Sequence, residues 1–287
     1  MISSNNNRVS NSNSKSIAQV QAETRNAQLV TRNPKPGTRD SQPETRNSEL
    51  DKCFCVDLGL IDYRTAWKLQ TDLVEARINK TITSDIVLLL EHPCVFTLGR
   101  RGASENLFVS KSDLGKSGIS VIQVERGGNI TYHGPGQLVV YFIMDLEAAR
   151  VAVVDFVEAL EEVMLQTVGM WGITAERNPA NRGIWVGDKK MGSIGIALRR
   201  GISFHGLALN VNLDLKPFSW IQPCGMQDVR MTSMKQELSE ELSMNSVREV
   251  LKEQLEAVFG VALFTKSYFE LEGILRNQKH ESMAERV

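Results

Sequence analysis

Hydrophobic and polar positions alternate regularly only after about residue 50 of this chain. The segment "CFCVDL", which begins at Cys53, alternates as a β-strand does. The apolar run "IVLLL" (86–90) is typical of a strand buried on both faces, and "ISVIQV" (119–124) and "LVVYFI" (138–143) repeat that pattern. These segments are therefore predicted to form strands of a buried sheet.

Three further segments carry apolar residues at helical spacing. Asp62 is predicted to cap the first helix, the second is predicted from about Val151 to Val168, and Asn245 or Ser246 could cap a last amphipathic helix. The apolar positions are Ala66, Leu69, Leu73 and Ala76 in the first helix, Val153, Phe156, Leu160, Val163 and Met164 in the second, and Val247, Val250, Leu251, Leu255 and Val258 in the third.

The segment "RGIWVGDKKMGSIGIAL" has the pattern of a β-hairpin that turns at Gly187 and Asp188. Strands and helices are interleaved along the chain, but they do not alternate strictly. This order favours an α+β fold, a mixed sheet covered by helices, over a doubly wound parallel sheet.

The first fifty residues are polar and of low complexity. The triplet "TRN" recurs at 24–26, 31–33 and 45–47 without paired apolar positions, which excludes a coiled-coil seam. Acidic residues and prolines in this stretch argue against an amphipathic targeting helix. We therefore predict a disordered extension over 1–50, a catalytic domain over 51–265 and a C-terminal tail over 266–287.

The composition is that of an ordinary globular protein, because 42% of the residues are hydrophobic and 23% are charged. A formal net charge of −1 provides no overall attraction to nucleic acid or to anionic lipid. The sequence has no run close to the roughly 20 apolar residues of a membrane span, and no signal-peptide block. We therefore expect neither nucleic-acid nor membrane partners, and a location in a bacterial cytoplasm rather than in a mitochondrial matrix.

Four cysteines without the spacing of a small disulfide scaffold predict reduced thiols. Cys53, Cys55, His92 and Cys94 form C-x-C and H-x-C pairs, so a metal site is an alternative. Two cysteines spaced C-x-C within a strand cannot spread around an ion as the ligands of structural zinc do. Because free cysteines are among the most buried residue types, we expect three core thiols and no metal.

The glycine-bearing segment "RGGNITYHGPGQ" lies between two predicted strands and is interpreted as a loop. Its glycines permit positive φ angles and let a ligand lie against the backbone. His133 in this loop, and the pair His205 and Gly206 in "FHGLALNVN", are candidates for a binding site. The alternative is that His133 is only a hydrogen-bonded buried side chain in a turn-rich connection.

Cys224 differs from the other cysteines because Pro223 and Gly225 place it on a loop. An unperturbed thiol with a pKa near 8.5 is only about 3% thiolate at neutral pH, so a nearby ammonium group would raise its nucleophilicity. Lys190 follows the hairpin turn and is a candidate for that group, and the two could form a covalent catalyst. Sequence spacing alone favours the alternative, a loop cysteine and a surface lysine that never meet.

Three blocks of the sequence resemble, in order and spacing, the signatures of the lipoyl(octanoyl) transferase family in the biotin/lipoate protein ligase superfamily. They are "RGGNITYHGPGQLVVYFIMDL", "RGIWVGDKKMGSIGIALRRGISFHGLALNVNLDL" and "IQPCGM". The resemblance extends from about Cys53 to Phe264. One departure is Cys94 in "HPCVFTLG", where the family usually has proline, and it concerns local loop geometry.

The resemblance implies the fold of that superfamily and the first step of lipoate biosynthesis. An octanoyl group passes from octanoyl acyl-carrier protein, by way of a cysteine thioester, to a lysine of a lipoyl domain. The implied acceptors are lipoyl domains of 2-oxoacid dehydrogenase complexes or the H protein of glycine cleavage. Neither a cofactor nor a metal is implied, because the thioester is already activated.

The resemblance also implies roles for individual residues. Cys224 of "PCG" is the nucleophile that accepts the acyl group, and Lys190 of "KMGSIG" is its partner. The implied substrate-binding residues are Arg126, Gly127, Gly128, Tyr132, His133, Gly134, Gly136, Gln137, Gly192, Ser193, Ile194, Gly195, His205 and Gly206.

Three other classes of protein are alternatives. An ATP-dependent lipoate or biotin ligase has the same fold but needs a nucleotide site and no acyl-cysteine, so "GPGQ" and "PCG" favour the transferase. A non-catalytic carrier-binding protein would not need Cys224 and Lys190. A cysteine hydrolase would need a histidine base, and nothing in the sequence places His133 or His205 beside the cysteine.

Two arginine pairs follow segments that border the implied site. They are Arg100 with Arg101 and Arg199 with Arg200. Because acyl carrier proteins are acidic, we hypothesise that these pairs form a docking patch for the donor. The alternative is that they are ordinary arginines of a solvated face.

Overall fold

The computed structural model describes residues 52–222 and 229–284. The strands are β1 Lys52–Leu60, β2 Asp85–Glu91, β3 Val95–Leu98, β4 Ser120–Gln123, β5 Ile130–His133, β6 Gln137–Ile143, β7 Glu176–Arg177, β8 Gly183–Val186, β9 Lys189–Arg199, β10 Ile202–Asn210, β11 Arg230–Met231 and β12 Ala262–Thr265. The helices are α1 Tyr63–Ile78, α2 Lys111–Ser117, α3 Val153–Gly169, α4 Met234–Leu238, α5 Met244–Phe259 and α6 Tyr268–Ala284. The predicted extension over 1–50 lies outside the described residues.

The strands form one large and one small sheet. The large sheet has the order β12-β1-β2-β6-β10-β9-β8-β7, with β11 paired to β9. The pairs β1–β12, β1–β2 and β9–β11 are parallel, whereas β2, β6, β10, β9 and β8 follow one another antiparallel. In the small sheet, β3 lies between β4 and β5. The predicted mixed sheet of an α+β fold is therefore confirmed.

Helices cover both faces of the large sheet. On one face, apolar residues of α3 and α5, such as Phe156 and Leu251, pack in one core cluster with the sheet. On the other face, Leu73 of α1 and Leu271 of α6 pack in a second cluster. Since both faces are covered, the central strands read as continuous apolar runs, and every residue of β6 is buried.

Helix boundaries agree with the sequence for α1 and differ for α5. The carboxylate of Asp62 accepts a 3.0 Å hydrogen bond from the Thr65 N–H, as expected for an N-cap. The cap of α5 is Ser243, not Asn245 or Ser246 as predicted. The earlier start places one helical turn before Val247, whose side chain is fully buried.

Two segments form more regular structure than the sequence predicted. Residues 130–133 of the glycine-bearing loop form β5, which pairs antiparallel with β3 so that Ile130 and Tyr132 are buried. The C-terminal segment forms α6, so α5 is not the last helix. Because Leu271 is the fully buried residue of a mostly polar helix, the apolar pattern there is weak.

Among the described residues, none of the helices combines the length and the apolar character needed to cross a bilayer.

Candidate active site

A cavity of about 580 Å³ lies among the described residues. Its wall includes residues of β9 and β10, which pair antiparallel, and the segment that leads into β5. The predicted site residues that line it are Lys190, Arg126, Gly127, Gly128, His133, Ser193, Ile194, Gly195, His205 and Gly206. Residues that the sequence places far apart are thus brought to one cavity by the pairing of the strands.

Lys190 is a buried lysine in the wall of this cavity. Only 2% of its surface is exposed. Its Nζ donates a 2.6 Å hydrogen bond to Asn181 Oδ1 and lies 5.5 Å from the centroid of the Trp185 ring. A buried ammonium group needs partners of this kind, because removal from water otherwise destabilises the charge. The alternative of a surface lysine is therefore wrong.

Cys224 lies outside the described residues. The chain that follows it returns at β11, where Arg230 and Met231 pair in parallel with Lys189 and Lys190. The backbone N–H of Thr232 donates a 2.9 Å hydrogen bond to the Lys190 carbonyl oxygen. The returning segment is thus bonded to the strand that carries the buried lysine.

Arg126 anchors the glycine-bearing segment to the rest of the site. Its guanidinium group donates hydrogen bonds to Thr97, at 2.7 Å to the carbonyl oxygen and at 2.8 Å to Oγ1. The next residue, Gly127, donates its N–H to the Ile196 carbonyl oxygen of β9 at 2.8 Å. Gly128 has a φ of 84°, which favours glycine. The segment is therefore held against β9 as one wall of the cavity.

Three buried histidines lie close together beside the cavity. His133 donates from Nδ1 to Gln137 Oε1 at 2.7 Å, because an amide oxygen can only accept. His92 likewise donates from Nδ1 to the Ile61 carbonyl oxygen at 2.8 Å. Burial lowers the pKa of His92 to about 4 and that of His205 to about 3, and it also lowers the pKa of His133. All three rings are therefore neutral at physiological pH.

Five predicted residues do not line the cavity, namely Tyr132, Gly134, Gly136, Gln137 and Gly192. Gln137 acts behind the wall, since it accepts from His133 and donates to Asn210 Oδ1 at 2.9 Å. Tyr132 packs in the core of the small sheet. A Cβ atom at Gly134 would lie 2.5 Å from the Tyr132 hydroxyl oxygen, so this position has no room for a side chain.

Gly192 and Gly136 also have structural roles, one in packing and the other in connecting elements. A Cβ atom at Gly192 would lie 2.6 Å from Met164 Sδ, so its lack of a side chain lets α3 approach the sheet. Gly136 donates its N–H to Glu91 Oε2 at 2.8 Å, and the other carboxylate oxygen of Glu91 pairs with Arg248 of α5. The glycine turn is therefore tied to β2 and to a helix.

Sequence reasoning missed Asn181, Tyr63 and Tyr141, which also line the cavity. Asn181 follows a proline and an alanine in a short loop before β8, and a polar residue there gives no sign that it contacts Lys190. Tyr141 lies in the apolar run 138–143, which predicts only a buried strand, and Tyr63 directly follows the predicted cap Asp62. Contacts of this kind follow from the tertiary arrangement and leave no periodic signal.

Two of the three predicted core thiols are confirmed and one is not. Cys53 and Cys55 are buried, and burial raises the pKa of the Cys55 thiol to about 11. Cys94 is exposed, contrary to prediction, and accepts a 3.0 Å hydrogen bond from the Tyr132 hydroxyl. It follows Pro93 in the turn between β2 and β3, where no core surrounds it.

Among the described residues, no group of histidine, cysteine and acidic side chains could hold a metal ion.

The two arginine pairs have different positions. Arg100 and Arg101 are exposed and line the cavity. Arg199 instead lies 3.6 Å from Glu125 Oε1 and stacks over the Phe204 ring at 5.6 Å, and neither it nor Arg200 lines the cavity. Only the first pair therefore lies at the cavity, and the docking role of both pairs stays a prediction.

Comparison with known proteins identifies the class of this fold and site. Residues 62–256 match the family model of the lipoyl protein ligase A/B catalytic domain. An octanoyltransferase of Desulfotalea psychrophila is 44% identical over 209 residues, which are 72% of this chain and 94% of that protein. An octanoyltransferase of Syntrophobacter fumaroxidans is 41% identical over 228 residues, 79% of this chain and 100% of that protein. The chain therefore belongs to the lipoyl protein ligase A/B catalytic-domain family and, within it, to the octanoyltransferases.

Solved structures agree with this assignment at the level of the fold. A crystal structure of lipoate-protein ligase A bound with ATP has a TM-score of 0.61 at 16% identity, and covers 79% of this chain and 92% of that one. A bi-partite lipoate protein ligase from Thermoplasma acidophilum has a TM-score of 0.59 at 16% identity, with 79% and 91% coverage. Because the identities are this low, these likenesses establish the fold alone.

Proposed function

We propose that this protein transfers an octanoyl group from octanoyl acyl-carrier protein to a lysine of a lipoyl domain, by way of a thioester on Cys224. The octanoyltransferase relatives support the transfer of an octanoyl group in lipoate biosynthesis. The observation that carries the mechanism is the burial of Lys190 in the cavity wall. The acceptors are lipoyl domains of 2-oxoacid dehydrogenase complexes or the glycine cleavage H protein, and the bacterial relatives favour a cytoplasmic site of action.

In the first step, the thiolate of Cys224 attacks the carbonyl carbon of the donor thioester. A carbon–sulfur bond to Cys224 forms and the bond to the carrier sulfur breaks. The departing carrier thiolate takes a proton from the ammonium group of Lys190, which becomes a neutral amine. A positive charge beside the thiol favours the thiolate before the attack.

In the second step, the amine of the acceptor lysine attacks the thioester on Cys224. This step needs a base, because a lysine with a pKa near 10.4 is neutral only about 0.04% of the time at pH 7. The acceptor ammonium loses two protons on its way to the amide: one passes to solvent before the attack, and the neutral Lys190 accepts the other as the amide bond forms and Cys224 leaves as a thiolate. The pair returns to thiolate and ammonium, so one lysine serves both steps.

The cavity has room for the octanoyl chain and for part of the donor group to which that chain is attached. At roughly 30 Å³ per heavy atom, eight carbons fill about 240 Å³, less than half of the 580 Å³ cavity. The remaining volume can receive the thioester end of the donor and then the acceptor lysine. This is consistent with two partners that use one cavity in turn.

The test compares two ways of supplying the acyl group. Purified protein is given octanoyl carrier protein without ATP, or octanoate with ATP, and octanoylation of a lipoyl domain is measured by mass. We expect product only from the thioester donor. Product only from octanoate and ATP would instead indicate a ligase and would contradict the proposal.

A further inference from the structure

The loop between β7 and β8, residues 178–182, carries a side chain that contacts the buried lysine of the cavity wall. Asn181 of this loop accepts the 2.6 Å hydrogen bond from Lys190 Nζ. The loop has no helix or strand of its own, so contacts from outside are needed to offset the entropy lost when it is ordered. Whatever fixes this loop therefore also affects where the ammonium group lies.

A buried carboxylate of α3 contacts both ends of this loop. Glu161 is completely buried, and its Oε1 accepts a 2.8 Å hydrogen bond from the backbone N–H of Gly183, directly after the loop. Its Oε2 lies 3.2 Å from a guanidinium nitrogen of Arg182, the last residue of the loop. The same oxygen lies 3.5 Å from Nε of Arg177, the residue before the loop. These three partners of the carboxylate come from the ends of one loop.

Core packing does not require an acidic residue at this position of α3. Apart from Glu161 and Thr167, the buried residues of the helix are apolar, and they pack in one core cluster. A carboxylate loses its hydration when it is buried, and it is tolerated only when it is paired and hydrogen-bonded. The contacts of Glu161 therefore indicate a use at the loop rather than in the core.

Two further contacts connect the loop to the lysine side chain. A Cβ atom at Gly183 would lie 2.1 Å from the Gly192 carbonyl oxygen and 3.0 Å from Lys190 Cε. The Gly183 backbone therefore lies directly against the end of the aliphatic chain of the lysine. The indole N–H of Trp185 donates a 3.0 Å hydrogen bond to the Asn181 carbonyl oxygen, and the indole ring lies 5.5 Å from Nζ. The loop, the start of β8 and the lysine thus pack as one unit.

We infer that Glu161 is a positioning residue for acyl transfer, because it holds the loop that carries Asn181 and through this loop fixes Lys190 Nζ. Glu161 is not among the residues that line the cavity, so it acts through the loop and not on a substrate. Misplacement of a positioned group by about 1 Å can slow a reaction about a hundredfold. This inference deepens the proposed function, on which it rests for the role of the lysine.

A double-mutant cycle tests whether Glu161 acts through Asn181. Octanoyl transfer from octanoyl carrier protein to a lipoyl domain is measured for Glu161→Leu, for Asn181→Ala and for the double variant. We expect each single change to lower kcat about tenfold or more, with KM for the carrier unchanged because no surface contact is altered. The double variant should be within about twofold of the slower single variant, whereas independent effects would multiply.

Val168→Ala is the matched control for lost stability. Val168 is fully buried on the same helix and in the same core cluster, so the change lowers stability but should leave kcat at the wild-type value. If Glu161→Leu does not fold, the cycle is run with Glu161→Gln. The amide oxygen of that variant can still accept from Gly183, but the charge that pairs with the two arginines is lost. We therefore expect kcat to fall, by less than in Glu161→Leu.

The position of the lysine is also measured without turnover. Lysines labelled with ¹³C give an ε-methylene NMR signal for each residue, and the Lys190 signal is assigned by its loss in Lys190→Arg. This signal depends on the distance to the Trp185 ring, because the ring current of the indole displaces it. We expect the signal to move in Glu161→Leu and Glu161→Gln and to stay in place in Val168→Ala.

The outcomes separate this inference from the proposed function. A wild-type kcat in both Glu161 variants, or multiplied effects in the double variant, would overturn the positioning role. A Lys190 signal that moves as far in Val168→Ala as in the Glu161 variants would also overturn it. If the signal moves only in the Glu161 variants but the wild type transfers no octanoyl group, the proposed function alone is contradicted.

Discussion

Replacing Asn181 by aspartate tests whether one lysine serves both steps. The Asn181 oxygen already accepts a 2.6 Å hydrogen bond from Lys190 Nζ, so Asn181→Asp keeps the acceptor and adds a negative charge. Hydrogen bonds to charged groups contribute about 1.5–3 kcal/mol; we take the present bond at the lower end of this range and a bond between two charged groups at the upper end. The ammonium form should gain about 1.5 kcal/mol, which leaves about tenfold less neutral amine.

The two half-reactions are measured separately by rapid quench. We expect Cys224 to acylate at a near-normal rate, because the carrier thiolate can leave before it is protonated, while transfer to the acceptor slows about tenfold and the acyl-enzyme accumulates. Raising the pH should restore transfer, because it increases the neutral fraction of the lysine. Asn178→Asp adds the same charge to a half-buried position of the same loop, whose side chain bonds the Ala180 N–H and not Lys190, and should leave both rates unchanged. Equal slowing of both steps in Asn181→Asp would refute the reasoning.

Other perturbations test the site, the scaffold and the extension. Arg100→Glu with Arg101→Glu should lower kcat/KM for octanoyl carrier protein, more so at low salt, and spare a small octanoyl thioester. Arg150→Glu, outside the cavity, is the control, and equal loss with both donors would reject docking. Glu161→Leu should lower the free energy of unfolding by about 2–4 kcal/mol, because the fully buried carboxylate bonds a backbone N–H and two arginines; an unchanged urea midpoint would contradict this. Deletion of residues 1–48 should leave transfer and melting nearly unchanged, and loss of folding would show that the extension packs.

The pattern of apolar residues was sufficient to predict an element where burial alone determines that element. The run at 138–143 is buried on both faces because helices cover both sides of the sheet, and this produces its unbroken apolar pattern. The cap at Asp62 and the turn at Gly187 follow from local hydrogen bonding and φ preferences. Local chemistry of this kind can be predicted from the sequence.

The sequence could not predict features set by contacts between distant elements. The partners of Arg199, Glu75 and Glu125, come from other parts of the chain, and the sequence does not indicate these contacts. The backbone N–H of His205 is hydrogen-bonded to the Gln70 side chain of α1, and neither residue type predicts the other. For the same reason, the burial of Lys190 was not evident from its place after a turn.

The most direct test of the proposed mechanism is the site of acylation. Purified protein is incubated with octanoyl carrier protein alone, and the modified residue is located by peptide mass after quenching in acid. The account predicts one octanoyl group, on Cys224, which is lost in Cys224→Ser and kept in Cys94→Ser, where the exposed thiol is removed instead. A fully active Cys224→Ser variant, or an octanoyl group on another residue, would contradict it.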